Sequence, residues 1–112
     1  PHHVMMGSKD GHQFRPVAYG EQLLHPGVSR DKKWFCADRI SYWGNESPNQ
    51  VYLINGETGA MKLLANTGTP MNGGHHLHPS FNRKGDKILF NRPVDGQNAQ
   101  VCLIDLAQVE RP

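Results

Sequence analysis

Short apolar runs recur along the chain, each bounded by glycine, asparagine or charged residues. They are segments 34–38 (WFCAD), 50–54 (QVYLI), 61–65 (MKLLA), 86–90 (DKILF) and 99–106 (AQVCLIDL), with a weaker one around FRPVAYG. Runs of this length, rich in strand-favouring residues, predict β-strands. Only the final LAQVERP has helical character, and it is short. The pattern therefore predicts an all-β fold.

Turn signals separate the predicted strands. Asn55-Gly56 directly follows an apolar run, and Asp95-Gly96 lies between the runs DKILF and AQVCLIDL. These dipeptides are typical of tight hairpins, because both central positions of a type I′ turn need a positive φ. Twelve glycines and eight prolines agree with many short elements. The chain should therefore run as antiparallel strands joined by short turns.

The strands fall into two matching sets. His25-Pro26 opens one set and His78-Pro79 the other, and each set continues with a polar turn and two buried strands. Gln50-Val51 and Gln100-Val101 recur at the second buried strand. An antiparallel repeat of about 50 residues is typical of a β-propeller blade. The sequence thus predicts propeller blades.

The repeat divides the chain into three parts. Residues 1–24 form the remnant of a preceding blade, 25–77 a first blade-like repeat and 78–112 a second, all within one compact domain. A closed propeller needs about four blades, and this chain provides two to two and a half. We expect a fragment of a larger propeller. Association with copies, or a compact sheet that only shares the motif, are the alternatives.

Composition narrows the function classes. The formal charge of +2 is spread without a basic block, so nucleic acid is not an expected partner. No apolar run is long enough to span a membrane. No secretion signal opens the chain, which leaves the cytoplasm and the periplasm both open. Cys36 and Cys102 lie inside apolar runs and are expected to be reduced core residues.

The segment HPSFNRKGDKILF resembles the repeat of the TolB-like propeller superfamily, which reads roughly H-P-x-F-S-P-D-G-x-x-I-x-F. Together, HPGVSRDKKWFCAD, VYLINGETG and HLHPSFNRKGDKILF resemble the C-terminal blades of oligogalacturonate lyases. The resemblance covers most of residues 22–106. It implies metal-assisted β-elimination of oligogalacturonates, which are acidic pectin fragments, by a larger propeller. The 112-residue chain alone is expected to be inactive.

The resemblance also implies a divalent metal, preferably manganese. His25, His76 and His78 stand at positions where that family holds its ion, whereas Gly73 stands where it has a glutamine. Residues i and i+2 of an extended chain point to the same side, so His76 and His78 can converge on one ion. Neutral imidazole binds first-row divalent ions well.

Other roles are assigned with less support from the sequence. His3 is the only counterpart of the family's catalytic base. Arg39 is one of several arginines that could pair with uronate carboxylates. Trp43, in the polar loop that follows, is a candidate for stacking on a sugar ring. No residue matches the family's catalytic arginine.

Each of these residues could instead have a purely structural role. A His-Pro pair at a strand start often packs locally in TolB-type repeats, which would explain His25 and His78 without a metal. His3 lies near a terminus, and Trp43 could pack within its loop. Two further hypotheses therefore stand beside the lyase. The chain could be a non-catalytic propeller segment for binding or protein contact, or a metal- or sugar-binding domain that has lost its base.

Overall fold

Nine β-strands form three antiparallel sheets in the computed structural model, which describes residues 2–20, 22–40, 48–68, 76–94 and 98–112. The strands are β1 (His2–Gly7), β2 (Phe14–Gly20), β3 (Leu23–Val28), β4 (Trp34–Arg39), β5 (Gln50–Asn55), β6 (Met61–Asn66), β7 (Ser80–Phe81), β8 (Lys87–Pro93) and β9 (Ala99–Asp105). A short 3₁₀ helix, Leu106–Gln108, follows β9. Within these ranges, no helix has the length and apolar character needed to cross a membrane.

Each sheet is a meander in which strands that follow one another in sequence pair as neighbours. The first sheet is β1-β2, the second β3-β4-β5-β6 and the third β7-β8-β9. All pairs are antiparallel. A four-stranded antiparallel sheet is the unit from which propeller blades are built, so the second sheet has the form of a complete blade.

The repeat seen in the sequence is also present in the backbone hydrogen bonds. Ser29 donates its N–H to the carbonyl of Trp34 at 2.9 Å, and its own carbonyl accepts from Lys32 N–H at 2.9 Å. Asn82 makes the same two bonds in the third sheet, both at 3.0 Å. Lys32 and Gly85 occupy matching turn positions with φ values of 61° and 75°. The two sets of strands therefore begin with the same turn.

The turn after β5 differs from the expected one. Positive φ occurs at Gly59 (74°) and not at Asn55 or Gly56, so the prediction of a tight two-residue turn there is wrong. The side-chain oxygen of Asn55 accepts hydrogen bonds from the two N–H groups that follow Gly56, at 2.9 and 3.1 Å. Asparagine often supports turns in this way. The other predicted tight turn, Asp95-Gly96, lies outside the described residues.

The core has two parts, one on each side of the second sheet. The first joins the first and second sheets through Val4, Val17, Ala18, Leu23, Phe35, Ala37 and Ile54. The other joins the second and third through Cys36, Val51, Leu53, Leu77, Ile88, Phe90 and Leu106. Strand β4 contributes to both because successive side chains point to opposite faces. The second sheet is thus held between its neighbours.

Both cysteines are free thiols, as expected from the sequence. Cys36 is buried in the second part of the core, and Cys102 packs against the same part. Burial raises the pKa of the Cys36 thiol to about 12. A thiol in that state is inert as a nucleophile or a metal ligand.

Candidate metal centre

Three histidines meet where β3 lies beside the segment that leads into β7. One ring nitrogen from each of His25, His76 and His78 lies within 4.8 Å of the other two. The ring centroids of His25 and His78 are 3.8 Å apart, and His76 lies 4.9 Å from His25 and 5.7 Å from His78. The structure therefore brings together the three residues that the sequence singled out as a set.

Local structure explains this convergence. Leu77 is fully buried in the core, which turns the residues on either side of it toward the opposite side. His25 lies inside β3, two residues after its start at Leu23, and not at the strand start as expected. Gly27 lets the two segments approach closely, because an added Cβ there would lie 3.1 Å from the carbonyl oxygen of Pro79.

The backbone at two of these histidines is strained. His25 has a φ of 38° and His78 a φ of 44°. Left-handed backbone is costly for a residue with a Cβ, and such strain is concentrated at functional sites. Both residues hold the same place in the repeat, directly before a proline. The strained conformation is therefore a shared feature of the two blades at this site.

A buried carboxylate lies behind the histidines. Asp38, on β4, is fully buried, and both of its oxygens lie 3.0 Å from Nδ1 of His25. Its Oδ2 also accepts the backbone N–H of His78 at 2.9 Å. Asp38 is not among the site residues predicted from the sequence. The sequence feature that indicates an unusual environment for Asp38 is its position as a charged residue at the end of the otherwise apolar run WFCAD.

The electrostatic environment favours a neutral ring at His76. Burial lowers its pKa most, and the nearby His25 and His78 lower it further, against an opposing effect of Asp38. An imidazole must be unprotonated to bind a metal ion. The position of His76 therefore favours the form that can coordinate.

The donor set and its spacing fit a divalent ion. Two nitrogens that each lie about 2.1 Å from one ion are about 3.4 Å apart in tetrahedral coordination. Separations of up to 4.8 Å therefore have to close by at most about 1.4 Å, shared between two side chains. Imidazole nitrogens suit first-row divalent metals. Since Asp38 occupies Nδ1 of His25, the nitrogen left for an ion there is Nε2.

The structure places the other candidate residues elsewhere. His3 lies on β1, exposed, with its ring edge-on to Tyr19 at 4.5 Å, and it is not part of the histidine cluster. Arg39 follows Asp38 on β4 and points to the opposite face, where it lines a pocket with Tyr52. The roles assigned to His3 and Arg39 remain predictions. Trp43 and Gly73 lie outside the described residues.

No protein-family model and no curated protein matches the chain. Solved structures do match. TolB from Acinetobacter baumannii superposes with a TM-score of 0.67 and 23% identity, over 92% of this chain and 24% of that one. An oligogalacturonate lyase from Vibrio parahaemolyticus superposes with a TM-score of 0.66 and 17% identity, over 87% and 27%. The chain folds as antiparallel β-propeller blades.

This result confirms the predicted fold class of antiparallel propeller blades. The chain spans about a quarter of the length of the two solved structures it matches. Both matches have identities below one quarter, so they show the fold and leave the function to the chemistry of the site. The narrower resemblance to oligogalacturonate lyases remains a prediction.

Proposed function

We propose that His25, His76 and His78 bind a divalent cation, manganese by preference, and that the ion holds the carboxylate of an acidic sugar. The observation that carries this proposal is the approach of three imidazole nitrogens to within 4.8 Å of one another. One comes from β3 and two from the segment that leads into β7, and the backbone is strained at two of the three. A local packing role for a His-Pro pair does not require His76 to join the cluster.

The finer proposal concerns the reaction. As part of a larger propeller, the site would serve β-elimination of oligogalacturonates. The proton α to the C5 carboxylate is removed, a carbon–carbon double bond forms to the neighbouring carbon, and the glycosidic oxygen leaves that carbon and takes up a proton from solvent. A divalent ion supplies charge stabilisation to that carboxylate, which becomes more negative as the proton departs. His25, His76 and His78 would hold the ion, and His3 is the chain's candidate for the base.

The runner-up proposal is a non-catalytic propeller segment that serves binding or protein contact. The TolB structure matches the chain as well as the lyase does, with TM-scores of 0.67 and 0.66. In this case the histidines would form a hydrogen-bonded packing cluster around Asp38. The two proposals differ in whether the cluster binds metal.

Manganese titration of the 112-residue chain, followed by electron paramagnetic resonance of free Mn²⁺ and by calorimetry, tests the proposal. We expect one site per chain, with affinity reduced roughly tenfold or more in His76→Ala. His12→Ala is the matched control, because His12 is an exposed histidine outside the cluster. Equal affinity in wild type and His76→Ala, or no binding by the wild type, would contradict the proposal.

A second titration tests the finer proposal without requiring turnover. Digalacturonate should bind the manganese-loaded chain and should bind the metal-free chain more weakly, because the ion provides the main contact to the carboxylate. The matched control ligand is a neutral galactose disaccharide, which should not distinguish the two forms. Binding of digalacturonate that is independent of metal would remove the basis for assigning an acidic sugar to this site.

A further inference from the structure

We propose that Asp38 is a positioning residue that fixes His25 in the Nδ1–H tautomer and ties the His78 segment to the same carboxylate, so that ligands from two sheets are aligned before a metal binds. This inference rests on the proposed metal site and extends it. Asp38 would touch neither the ion nor the substrate, because its contacts are to the histidines themselves.

The first step is the hydrogen bond to the ring. A carboxylate can only accept hydrogen bonds, so the ring nitrogen that faces it must carry the hydrogen. Nδ1 of His25 lies 3.0 Å from each oxygen of Asp38 and is therefore the donor. In the neutral ring the lone pair then lies on Nε2, which is the nitrogen available to a metal. A carboxylate behind a ligating histidine commonly fixes its tautomer and orientation in this way.

The second step is the link between sheets. The N–H of His78 donates to Oδ2 of Asp38 at 2.9 Å, although Asp38 is on β4 in the second sheet and His78 precedes β7 in the third. One carboxylate thus holds the two histidines of the cluster that have left-handed backbone. A fully buried charge is costly unless it is hydrogen-bonded, and these contacts provide its partners. The hydrogen bonds to Asp38 therefore help to stabilise the strained backbone at His25 and His78.

The third step is the comparison between the two repeats. The strand that matches β4 is β8, and the residue at the position of Asp38 is Asn91. The blade therefore forms with a neutral amide at this position in one repeat and a buried carboxylate in the other. Asp38 is fully buried and faces a histidine ring, whereas Asn91 is half-buried beside the exposed Val101, so the carboxylate occurs at the position that belongs to the site.

Asp38→Asn separates these roles because the side chain keeps its size and loses one acceptor. Its single oxygen is needed by the N–H of His78, which leaves the NH₂ group facing Nδ1 of His25. An NH₂ group donates, so Nδ1 must become an acceptor and the hydrogen must move to Nε2. We expect the variant to populate the Nε2–H tautomer and to bind Mn²⁺ about 10- to 100-fold more weakly.

The tautomer can be read directly from long-range ¹H–¹⁵N spectra of the metal-free 112-residue chain, recorded at about pH 8.5, where an ordinary imidazole is neutral. Asp31→Asn is the matched control, because it removes an exposed carboxylate from the turn before β4 and should leave the His25 spectrum unchanged. If Asp38→Asn does not fold, the wild-type spectrum still decides, since it must show Nδ1–H at His25.

Two results would overturn the inference. One is a wild-type His25 with its hydrogen on Nε2. The other is a folded Asp38→Asn variant with an unchanged tautomer and unchanged manganese affinity. If the wild-type chain binds no manganese, the proposed function fails, yet the tautomers of wild type and variant still report whether Asp38 orients His25. Failure of the positioning role and failure of the metal site are therefore distinguishable.

Discussion

His78 combines an exposed side chain with a left-handed backbone, so its conformational cost can be measured apart from its packing. Both His78→Gly and His78→Ala remove the ring. Glycine accepts a positive φ freely and alanine does not. We therefore predict a free energy of unfolding about 1 kcal/mol higher for the glycine variant than for the alanine variant, measured by urea denaturation.

Ser80 provides the control for this comparison. It is an exposed residue on β7 whose φ is not positive. There, alanine should be more stable than glycine, because glycine loses more conformational freedom on folding. If the alanine variant were also the more stable one at position 78, the backbone at His78 would not be strained in solution.

Only part of the site could be predicted from individual residues. His76 and His78 are separated by one residue, and His25 matches His78 in the repeat, so their convergence follows from strand geometry and blade stacking. The role of Asp38 does not follow, because its contacts join β4 to a segment 40 positions away in the chain. A charge inside an apolar run signals an unusual environment but does not name the partner.

At the scale of elements, the predicted strands agree closely with the structure. Strand β5 starts at the first residue of the run QVYLI, and strand β6 starts at the first residue of the run MKLLA. Their apolar, turn-bounded patterns predicted both strands. The type of the connecting turn was harder to predict. Asn55-Gly56 is a hairpin dipeptide, yet Asn55 uses its side chain to cap a longer loop, and the positive φ moves to Gly59. Side-chain hydrogen bonding overrode the dipeptide preference there.

The turn that precedes β4 provides a prediction of pH dependence. The hydroxyl of Ser29 donates to Asp31 at 2.6 Å and the N–H of Lys33 at 3.0 Å, and these bonds lower the pKa of the Asp31 carboxyl. A carboxyl with a lowered folded-state pKa stabilises the protein above its unfolded-state pKa of about 3.9, and that contribution is lost as the pH falls through the folded-state pKa. Asp31→Asn removes this contribution.

The expected result is a stability difference between wild type and Asp31→Asn that is constant above about pH 5 and shrinks below about pH 3.9. Urea denaturation at a series of pH values measures it. Asp86→Asn, in the matching turn of the third sheet, should behave alike, because a hydrogen bond from Asn82 lowers the pKa of that carboxyl. Curves that stay parallel down to about pH 2.5 would contradict the assignment.

At the scale of the whole molecule, the outer face of β9 is an exposed apolar surface that another sheet could cover. Val101 and Leu103 are 68% and 55% exposed, whereas Cys102 and Ile104 between and after them pack into the core. Blades of a propeller cover their apolar faces by stacking on neighbours. We therefore expect this face to associate, either with copies of the chain or with further blades.

Replacing Val101 and Leu103 together with threonine tests this expectation, and threonine is itself a strand-favouring, β-branched residue. Sedimentation velocity at increasing concentration should show association of the wild-type chain and less of it in the double variant, because the contact would lose apolar area. Stability should change little, since both side chains are exposed. Leu63→Thr, on the edge strand β6, is the control for a single exposed apolar residue. A wild-type chain that sediments as a monomer throughout would show that β9 needs no neighbour in solution. Stacking of sheets would then be limited to the two core interfaces already formed.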